Sequence, residues 1–290
     1  MSKAPFTHAL VTGASSGIGA SIAHKLGKAG VGMVLVARRK DRLDAIAALY
    51  PNVEVLVADL TTEAGLDAVI ARLRSDSLAQ IDLVVNNAGF GTSGAFADAD
   101  PQRLSNEISL NVNALTRISH EAVRLMRPRG RGYVLNVSSI ASFQPGPDLA
   151  VYAATKAFVT SLTEAMHEEL RGSGIRVTAL CPGLTHTEFQ SISNTSGLES
   201  KFPDFAWMSA DDVARDGLRA VAEGKAICVP GLVNKSLATV STFTPRGLAR
   251  RIAGLATRLA CLTTSRPVIY TVHGFGFKQE IPWLRRTVAS

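Results

Sequence analysis

Cysteine and long apolar runs are scarce in this chain, and each shortage excludes a class of protein. Only three of its 290 residues are cysteines. They lie far apart in apolar surroundings, which indicates buried free thiols rather than a disulfide framework: Cys181, Cys228 and Cys261. No Cys/His spacing typical of a metal site occurs. No run of eighteen apolar residues occurs either, so the sequence predicts no membrane-spanning helix.

The N-terminus also lacks the features of a secretory signal. The stretch MSKAPFTHALVTG has no basic start, no long apolar middle and no small-residue cleavage site, so we expect a cytoplasmic protein. The hydrophobic content of 46% and the charged content of 19% predict a folded chain rather than a disordered one.

The net charge of +7 is unevenly placed. Residues 231–290 carry nine Lys or Arg and a single acid, Glu280, whereas residues 1–230 are close to neutral. The net positive charge therefore indicates something only about the binding partners of the C-terminal part, not about those of residues 1–230. We expect one domain over residues 1–230 and a basic extension over 231–290 that is not an independent domain.

Apolar runs alternate with helical patterns through the first part of the chain. This alternation predicts an α/β fold with a doubly wound, Rossmann-type parallel sheet and helices on both faces. Ligands of such sheets bind beyond the carboxyl ends of the strands. The predicted strands are residues 8–12, 32–36, 53–60, 81–89, 131–138, 175–183 and 226–230.

A glycine-rich loop, GASSGIG, joins the first strand to the first helix over Gly13–Gly19. Three glycines at this spacing let the backbone approach a bulky anion, and the amides of the following helix can receive a pyrophosphate. A flexible turn into a helix is the alternative interpretation, because a lone glycine motif is a weak signal.

The end of the second strand predicts which dinucleotide binds. An acid at this place would hold the free 2′-OH of NAD, but Ala37 stands there and Arg38 and Arg39 follow it. Guanidinium groups suit a 2′-phosphate, so we expect NADP(H). The alternative is that these arginines are simply the polar start of a helix, although cations there oppose the helix dipole. Asp59, at the end of the third strand, is suited to binding the adenine amino group and to capping the helix starting near Thr61, and the two roles are compatible.

The stretch from Ser138 to Lys156 carries the groups suited to proton transfer. Tyr152 stands four residues before Lys156 at a helix start, which places both side chains on one face. A nearby ammonium is expected to lower the pKa of the phenol and make it a proton donor or acceptor near neutral pH. A surface pair is the alternative. Asn111 lies inside a predicted helix from Pro101 to Met126, where an amide is unfavourable and indicates a kink or an internal water.

Together these motifs resemble the short-chain dehydrogenase/reductase family over about residues 6–230, and within it an NADPH-dependent bacterial branch with a C-terminal extension. TGASSGIG resembles the family's cofactor loop, NNAG its structural signature, and CPGLTHTE the segment that follows the nicotinamide. Ser139, Tyr152 and Lys156 resemble the catalytic triplet, and Asn111 lies where the family has its fourth catalytic residue. Ser139 is chosen over Ser138 because of its spacing from the tyrosine in the family.

The resemblance implies a role for each of these residues. Tyr152 would exchange a proton with the substrate oxygen, which Ser139 would hold and polarise. Lys156 would lower the pKa of the tyrosine and bind the nicotinamide ribose, and Asn111 would position a water that relays protons. The motifs and the resemblance together give this set of cofactor contacts: Gly13, Ser15, Ser16, Gly17, Ile18, Gly19, Arg38, Arg39, Asp59, Asn87, Ala88, Gly89, Tyr152, Lys156, Pro182, Gly183 and Thr187.

The function expected from these residues is NADPH-dependent reduction of a carbonyl group. The substrate loop, residues 184–208, becomes apolar toward its end, which favours a fairly apolar ketone, aldehyde or 3-oxoacyl compound. The alternative is a non-catalytic nucleotide-binding regulatory or scaffold protein on the same fold. The complete Ser/Tyr/Lys/Asn set argues against it. The family often forms dimers or tetramers, so a homo-oligomer is a further expectation.

The C-terminal extension contains an amphipathic basic helix over 245–262. The alternatives for it are packing on the body or on a neighbouring subunit, and contact with an anionic membrane surface. Nucleic acid is not expected, because no recognised binding module occurs. The apolar stripe is Leu248, Ile252, Leu255, Leu259 and Leu262, and the basic side is Arg246, Arg250, Arg251 and Arg258.

Overall fold

Parallel strands form the central sheet of the computed structural model, which describes residues 4–193, 206–245 and 247–255. Within these residues the sheet has seven strands: β1 (His8–Thr12), β2 (Gly32–Ala37), β3 (Val53–Val57), β4 (Leu83–Asn86), β5 (Gly132–Val137), β6 (Ile175–Leu180) and β9 (Ile227–Cys228). Their order is β3-β2-β1-β4-β5-β6-β9, so the winding reverses between β1 and β4. The predicted fold class is confirmed. A separate parallel pair joins β7 (Thr185–His186) to β8 (Met208–Ser209).

Helices cover both faces of the sheet. In chain order they are α1 (Gly17–Lys28), α2 (Lys40–Ala47), α3 (Glu63–Arg74), α4 (Pro101–Ile108), α5 (Leu115–Met126), α6 (Ala150–Glu169), α7 (Phe189–Ile192), α8 (Ala210–Glu223) and α9 (Leu232–Phe243). Residues 247–255 are also helical. The division into a body and an extension stays a prediction. The α9 helix nevertheless contacts the body, since the buried Asn234 amide donates to Met208 Sδ at 3.4 Å and Ser241 Oγ donates to Gln144 Oε1 at 3.2 Å.

Successive side chains of the strands enter two separate cores, as the period of two in a strand requires. On β2, Met33 and Leu35 pack with α1, α2 and α8 on one face. Val34 and Val36 pack with α3, α5 and the end of α6 on the other face. Both faces of the strands are therefore buried, which explains why they appear in the sequence as continuous apolar runs.

Three predicted strands extend three residues too far at their carboxyl ends, and one predicted helix cap is wrong. The predicted strands 81–89 and 175–183 end at Asn86 and Leu180. The third strand ends at Val57 rather than at residue 60, and the helix that follows is capped by Thr62, whose hydroxyl accepts from Gly65 N. Asp59 is therefore not the cap. Its carboxylate instead accepts from the backbone and the hydroxyl of Thr61, at 3.0 and 2.7 Å, and fixes the turn between strand and helix.

The predicted helix from Pro101 to Met126 is not uniform. Its middle, Ser109–Ala114, is π-helical, and separates α4 from α5. Asn111 lies in this π-helical segment and is buried, with hydrogen bonds outside its own helix. The irregularity that the sequence indicated at Asn111 is present, in the form of a widened turn of the kind often found at functional sites.

A buried polar network joins the middle of the sheet to two helices. The side-chain amide of Asn136, on β5, accepts from Asn86 Nδ2 at 2.9 Å and donates to Thr163 Oγ1 at 3.0 Å. Ser119, on α5, accepts from the same Asn86 amide at 2.9 Å. Because these groups are buried, their hydrogen bonds to one another fix β4, β5, α5 and α6 in one register.

Candidate active site

The carboxyl ends of the strands surround a cavity of about 570 Å³. Apart from Gly19 and Asn111, every residue proposed from the sequence for cofactor binding or proton transfer lines this cavity. Residues separated by more than 170 positions in the chain thus meet in one place, because parallel strands bring all their carboxyl ends to one edge. The two exceptions lie just behind the cavity wall.

The glycine loop approaches the cavity in a conformation that needs its glycines. Gly13 and Gly17 have φ of +65° and +55°, in the left-handed region. A Cβ on Gly19 would lie 2.4 Å from both Asn87 Nδ2 and the Gly13 carbonyl oxygen. That space is used by Asn87, whose amide donates to the carbonyls of Thr12 and Gly13 at 3.0 and 3.2 Å. Gly19 therefore allows the NNAG segment to hold the loop rather than forming the cavity wall.

The start of α1 fits an anion. The helix begins at Gly17, and Ser16 before it makes no side-chain capping bond. Because the first amides of a helix lack partners within it and carry its positive dipole end, they form a site for a phosphate group. This end of the helix lies in the cavity wall. The geometry fits the pyrophosphate of a dinucleotide.

The two arginines after β2 lie in different surroundings. The Arg38 side chain is 74% exposed, and its nearest carboxylate oxygen, on Asp59, is 3.8 Å away. The guanidinium of Arg39 points into the cavity and donates to the hydroxyls of Ser15 and Ser16, at 3.0 and 2.8 Å. Its remaining nitrogen donates to Glu188 at 2.8 Å. Sequence reasoning missed Glu188, because nothing in the spacing shows that it faces arginines nearly 150 residues earlier.

The α6 helix and the segment after β5 bring the proposed catalytic side chains together. Tyr152 and Lys156 are buried in the first two turns of α6. The ammonium of Lys156 lies 5.8 Å from the centre of the tyrosine ring and donates to the Val137 carbonyl oxygen at 2.8 Å. Ser139 lies near enough to the phenol for its side chain to lower the pKa of Tyr152, and both residues line the cavity. The hydroxyl of Ser138 instead donates to the Lys156 carbonyl oxygen at 2.8 Å, so of the two serines it is Ser139 that reaches the tyrosine.

The protonation of this pair differs from the expectation. Burial raises the pKa of Tyr152 to about 12, against a smaller lowering by the hydrogen bond to Ser139. Burial also lowers the pKa of Lys156 to about 8. The expected lowering of the tyrosine pKa is therefore wrong for this structure, because loss of water around the buried phenol raises its pKa more than any neighbouring group lowers it. At neutral pH the phenol is protonated and the lysine is charged.

Asn111 lies behind the catalytic groups. Its amide donates to the Phe90 carbonyl oxygen at 2.8 Å and to Thr155 Oγ1 at 3.1 Å. A Cβ placed on Gly89 would lie 2.9 Å from Asn111 Oδ1 and 3.4 Å from Lys156 Nζ. The Asn111 carboxamide oxygen and the Lys156 ammonium therefore face the same small space. A single water molecule in that space would hydrogen-bond to both groups.

The segment after β6 forms the opposite wall of the cavity. The Phe189 ring lies 5.4 Å from that of Tyr152, and Ile192 lines the cavity as well. Trp207, which the sequence placed at the apolar end of the substrate loop, is buried and stacks on His186 at 4.8 Å. Residues 194–205 of that loop lie outside the described part of the chain.

The stripe of the C-terminal extension is solvent-exposed where the structure describes it. Leu248, Ile252 and Leu255 are exposed, and so are Leu232 and Phe243 at the two ends of α9. The rest of the predicted amphipathic helix lies outside the described residues: Arg246, Arg258, Leu259 and Leu262. Among the described residues, no helix is long and apolar enough to cross a membrane.

Neither thiol nor metal chemistry has a centre in the described residues. Cys181 is buried and Cys228 half-buried, and both are free thiols, whereas Cys261 lies outside the described ranges. Burial raises the pKa of both described thiols to about 11. In the same part of the chain, no group of three or more His, Cys, Asp or Glu side chains could hold a metal ion.

Comparison with known proteins agrees with this geometry. The family model described as short chain dehydrogenase matches residues 7–196. An uncharacterised oxidoreductase of Staphylococcus epidermidis is 34% identical over 188 residues, which are 64% of this chain and 81% of that protein. A short-chain dehydrogenase from Sphingobium yanoikuyae, solved in complex with NADPH, is 34% identical with a TM-score of 0.72, over 90% of this chain and 97% of that one. The bulky-bulky ketone specific alcohol dehydrogenase from Comamonas testosteroni is 30% identical with a TM-score of 0.69, over 93% and 97%.

Proposed function

We propose that this chain, which belongs to the short-chain dehydrogenase/reductase family, uses NADPH to reduce the carbonyl group of a fairly apolar ketone, aldehyde or 3-oxoacyl compound to an alcohol. Family membership makes the chain an oxidoreductase that acts on a small molecule. The observation that carries the finer proposal is the buried Tyr152 phenol, which lines the same cavity as Ser139, Lys156 and the glycine loop.

The residues of the cavity fit a nicotinamide dinucleotide. The loop between Gly13 and Gly19 and the start of α1 would hold the pyrophosphate, and Asp59 lies where it can bind the adenine. Pro182, Gly183 and Thr187 line the same cavity, and the family resemblance gives them as further cofactor contacts. When bound, the cofactor supplies the hydride that the carbonyl carbon accepts.

The side chains of the protein supply the proton and hold the carbonyl oxygen. The Ser139 hydroxyl donates to this oxygen and polarises the carbonyl bond. As the carbon accepts the hydride pair, negative charge develops on the oxygen, and Tyr152 transfers its phenolic proton there. A phenol with a raised pKa is fully protonated at neutral pH, which suits a proton donor. The Lys156 ammonium would then stabilise the phenolate that remains, and a water held by Asn111 would return a proton.

Two observations support NADPH over NADH. No acid follows β2 where one would bind a free ribose 2′-OH, and Arg38 and Arg39 stand there instead. Arg42, on the next turn, adds a third cation. The similar Sphingobium enzyme was solved with NADPH. Guanidinium groups bind a phosphate in a bidentate manner, so this cluster suits the 2′-phosphate.

The proposed apolar substrate follows from the wall opposite the glycine loop. The cavity is lined by five large apolar side chains, and the Phe189 ring lies 5.4 Å from that of Tyr152: Phe90, Leu149, Leu184, Phe189 and Ile192. Apolar side chains at this position favour a substrate whose carbonyl is flanked by hydrocarbon. The Comamonas relative, named for bulky-bulky ketones, is consistent with such a substrate.

A panel of carbonyl compounds tests the proposal. The purified protein is mixed with NADPH or NADH and with ketones, aldehydes or 3-oxoacyl thioesters, and loss of the reduced cofactor is followed by absorbance. We expect turnover of at least one apolar carbonyl, with NADPH favoured over NADH. If the protein binds NADPH but oxidises it with no member of the panel, the scaffold alternative replaces this one.

The extension carries a second proposal: contact with an anionic membrane surface. The exposed apolar side chains of α9 and of residues 247–255 lie in a region rich in cations, including Lys235, Arg250 and Arg251. Such surfaces suit anionic lipid. Co-sedimentation with phosphatidylglycerol vesicles should exceed that with phosphatidylcholine vesicles and should be lost when the chain ends at Thr244. Equal sedimentation of both proteins would contradict the proposal.

A homo-oligomer stays a prediction, to be checked by sedimentation velocity.

A further inference from the structure

The carboxylate of Glu188 lies between two arginines at the rim of the cavity. One oxygen accepts from Arg39 Nη1 at 2.8 Å, and the other accepts from Arg42 Nη1 at 2.5 Å. Arg39 and Arg42 belong to the basic start of α2, whereas Glu188 follows β7. The ion triplet therefore joins the two sides of the cavity. All three side chains are about two-fifths exposed, so a solute can reach them.

The triplet lies over the loop proposed to hold the pyrophosphate. The other edge of the Arg39 guanidinium donates to Ser15 and Ser16 in that loop. The neighbouring Thr187 packs on the same loop, since a Cβ on Gly17 would lie 3.1 Å from Thr187 Cγ2. Residues Thr187 and Glu188 thus cross the entrance of the cofactor cavity.

The far end of the same segment is held separately. Arg103 Nη2 donates to the carbonyl oxygens of Ile192 and Gly91, at 2.5 and 3.1 Å. The backbone amide of Gly91 donates to Ser193 Oγ at 3.0 Å. The end of the segment 187–193 at Ile192 and Ser193 is therefore held to the body by hydrogen bonds with Arg103 and Gly91. The other end, at Glu188, is the cofactor end and is held by the ion triplet.

A carboxylate held by two guanidinium groups has the recognition chemistry of a phosphate. The hydrogen bonds of Arg42 and Arg39 lower the pKa of Glu188 to about 2, so it is ionised at any working pH. A phosphate monoester at neutral pH carries about twice that charge and offers three acceptor oxygens. It would therefore compete well with Glu188 for the same two arginines.

We propose that Glu188 occupies, in the protein without cofactor, the place of the 2′-phosphate of NADPH on Arg39 and Arg42, and that the phosphate displaces it. This inference rests on the proposed NADPH-dependent function and gives two residues a defined role in it. Arg42 becomes a ligand of the phosphate, and Glu188 becomes the group that sets the preference between the cofactors. Displacement also releases the cofactor end of the segment 187–193. NADH carries only a hydroxyl at this position and cannot displace the carboxylate.

Two substitutions test the proposal by titration of the full chain with NADPH and NADH. Glu188→Gln removes the competing charge, so the affinity for NADPH should rise roughly three- to tenfold while the affinity for NADH stays nearly unchanged. This factor corresponds to the free energy of a partly exposed ion pair. Arg42→Gln should weaken NADPH by a similar factor and again spare NADH. Each substitution should change the affinity for adenosine 2′,5′-bisphosphate as it changes that for NADPH. The affinity for adenosine 5′-monophosphate should stay nearly unchanged, as for NADH. Glu223→Gln is the matched control, because it removes the same charge from an exposed pair with Lys225.

The outcomes separate this proposal from the function on which it rests. If Glu188→Gln weakens NADPH, the carboxylate orients the arginines and does not compete, and the proposal is overturned. Equal tightening of both cofactors, or no change in either, also overturns it, because the effect would not depend on the phosphate. If the unmodified protein binds neither cofactor, or prefers NADH, the proposed NADPH dependence itself is wrong, whatever the substitutions do.

Discussion

Lys156 is expected to lose its proton, and the protein its reductase rate, as the pH rises through about 8. Burial lowers the pKa of this ammonium from 10.5 to about 8, which corresponds to roughly 3 kcal/mol of lost hydration. The group is then about nine-tenths charged at pH 7 and about one-tenth charged at pH 9. Because the charged form stabilises the phenolate of Tyr152, kcat/KM should fall about tenfold per pH unit above 8.

The assay is the pH dependence of kcat/KM for the carbonyl compound at a saturating concentration of NADPH, which reports groups of the protein with cofactor bound. Tyr152, with a pKa of about 12, stays protonated over this range and adds no break. The matched variant is Lys156→Arg, whose guanidinium stays charged throughout. Its rate should be lower but independent of pH between 7 and 10. A flat profile for the unmodified protein, or the same fall in the arginine variant, would refute the reasoning.

Three further substitutions test other parts of the site and fold. Tyr152→Phe should lower kcat by roughly 10²–10⁴-fold and leave NADPH binding within about twofold; retention of most of the activity would show that another group donates the proton. Gly19→Ala places a Cβ 2.4 Å from Asn87 Nδ2, so dinucleotide affinity should fall at least about tenfold in a fluorescence titration, and unchanged affinity would contradict the close packing. Asn136→Leu removes the centre of the buried network and should lower the free energy of unfolding by about 2–4 kcal/mol in urea; a loss below about 1 kcal/mol would mean that the network adds little.

The strands and the general place of the site could be predicted because their signals are local. Buried parallel strands appear as apolar runs, and β1, β2 and the glycine loop begin and end close to their predicted positions. The cap of α8 is a local feature of the same kind, since Ser209 accepts from Asp212 N at 3.0 Å. The cap of α3 could not be chosen so easily, because Asp59 and Thr62 are both good capping residues and only the turn geometry decides between them.

The electrostatics of the site could not be predicted, because they depend on packing between distant segments. The spacing of Tyr152 and Lys156 indicates one helix face but not how completely that face is buried, and burial decides both pKa values. The pairing of Glu188 with Arg39 needs the crossing of two loops far apart in the chain. The local structure at Asn111 could be predicted in part. Its residue type indicates an irregular helix, but only the structure shows that the irregular segment is π-helical.

The π-helical segment Ser109–Ala114 also limits how this chain can change in length. One residue advances an α-helix by about 100°, so a deletion that converted the widened turn to ordinary α-helix would rotate α5 relative to α4 by about a quarter of a turn. Ile118, Ala122 and Met126 would then leave the core that they share with α3. We therefore expect insertions and deletions to be tolerated at exposed connections such as residues 75–80, and single-residue deletions within 109–114 to unfold the protein.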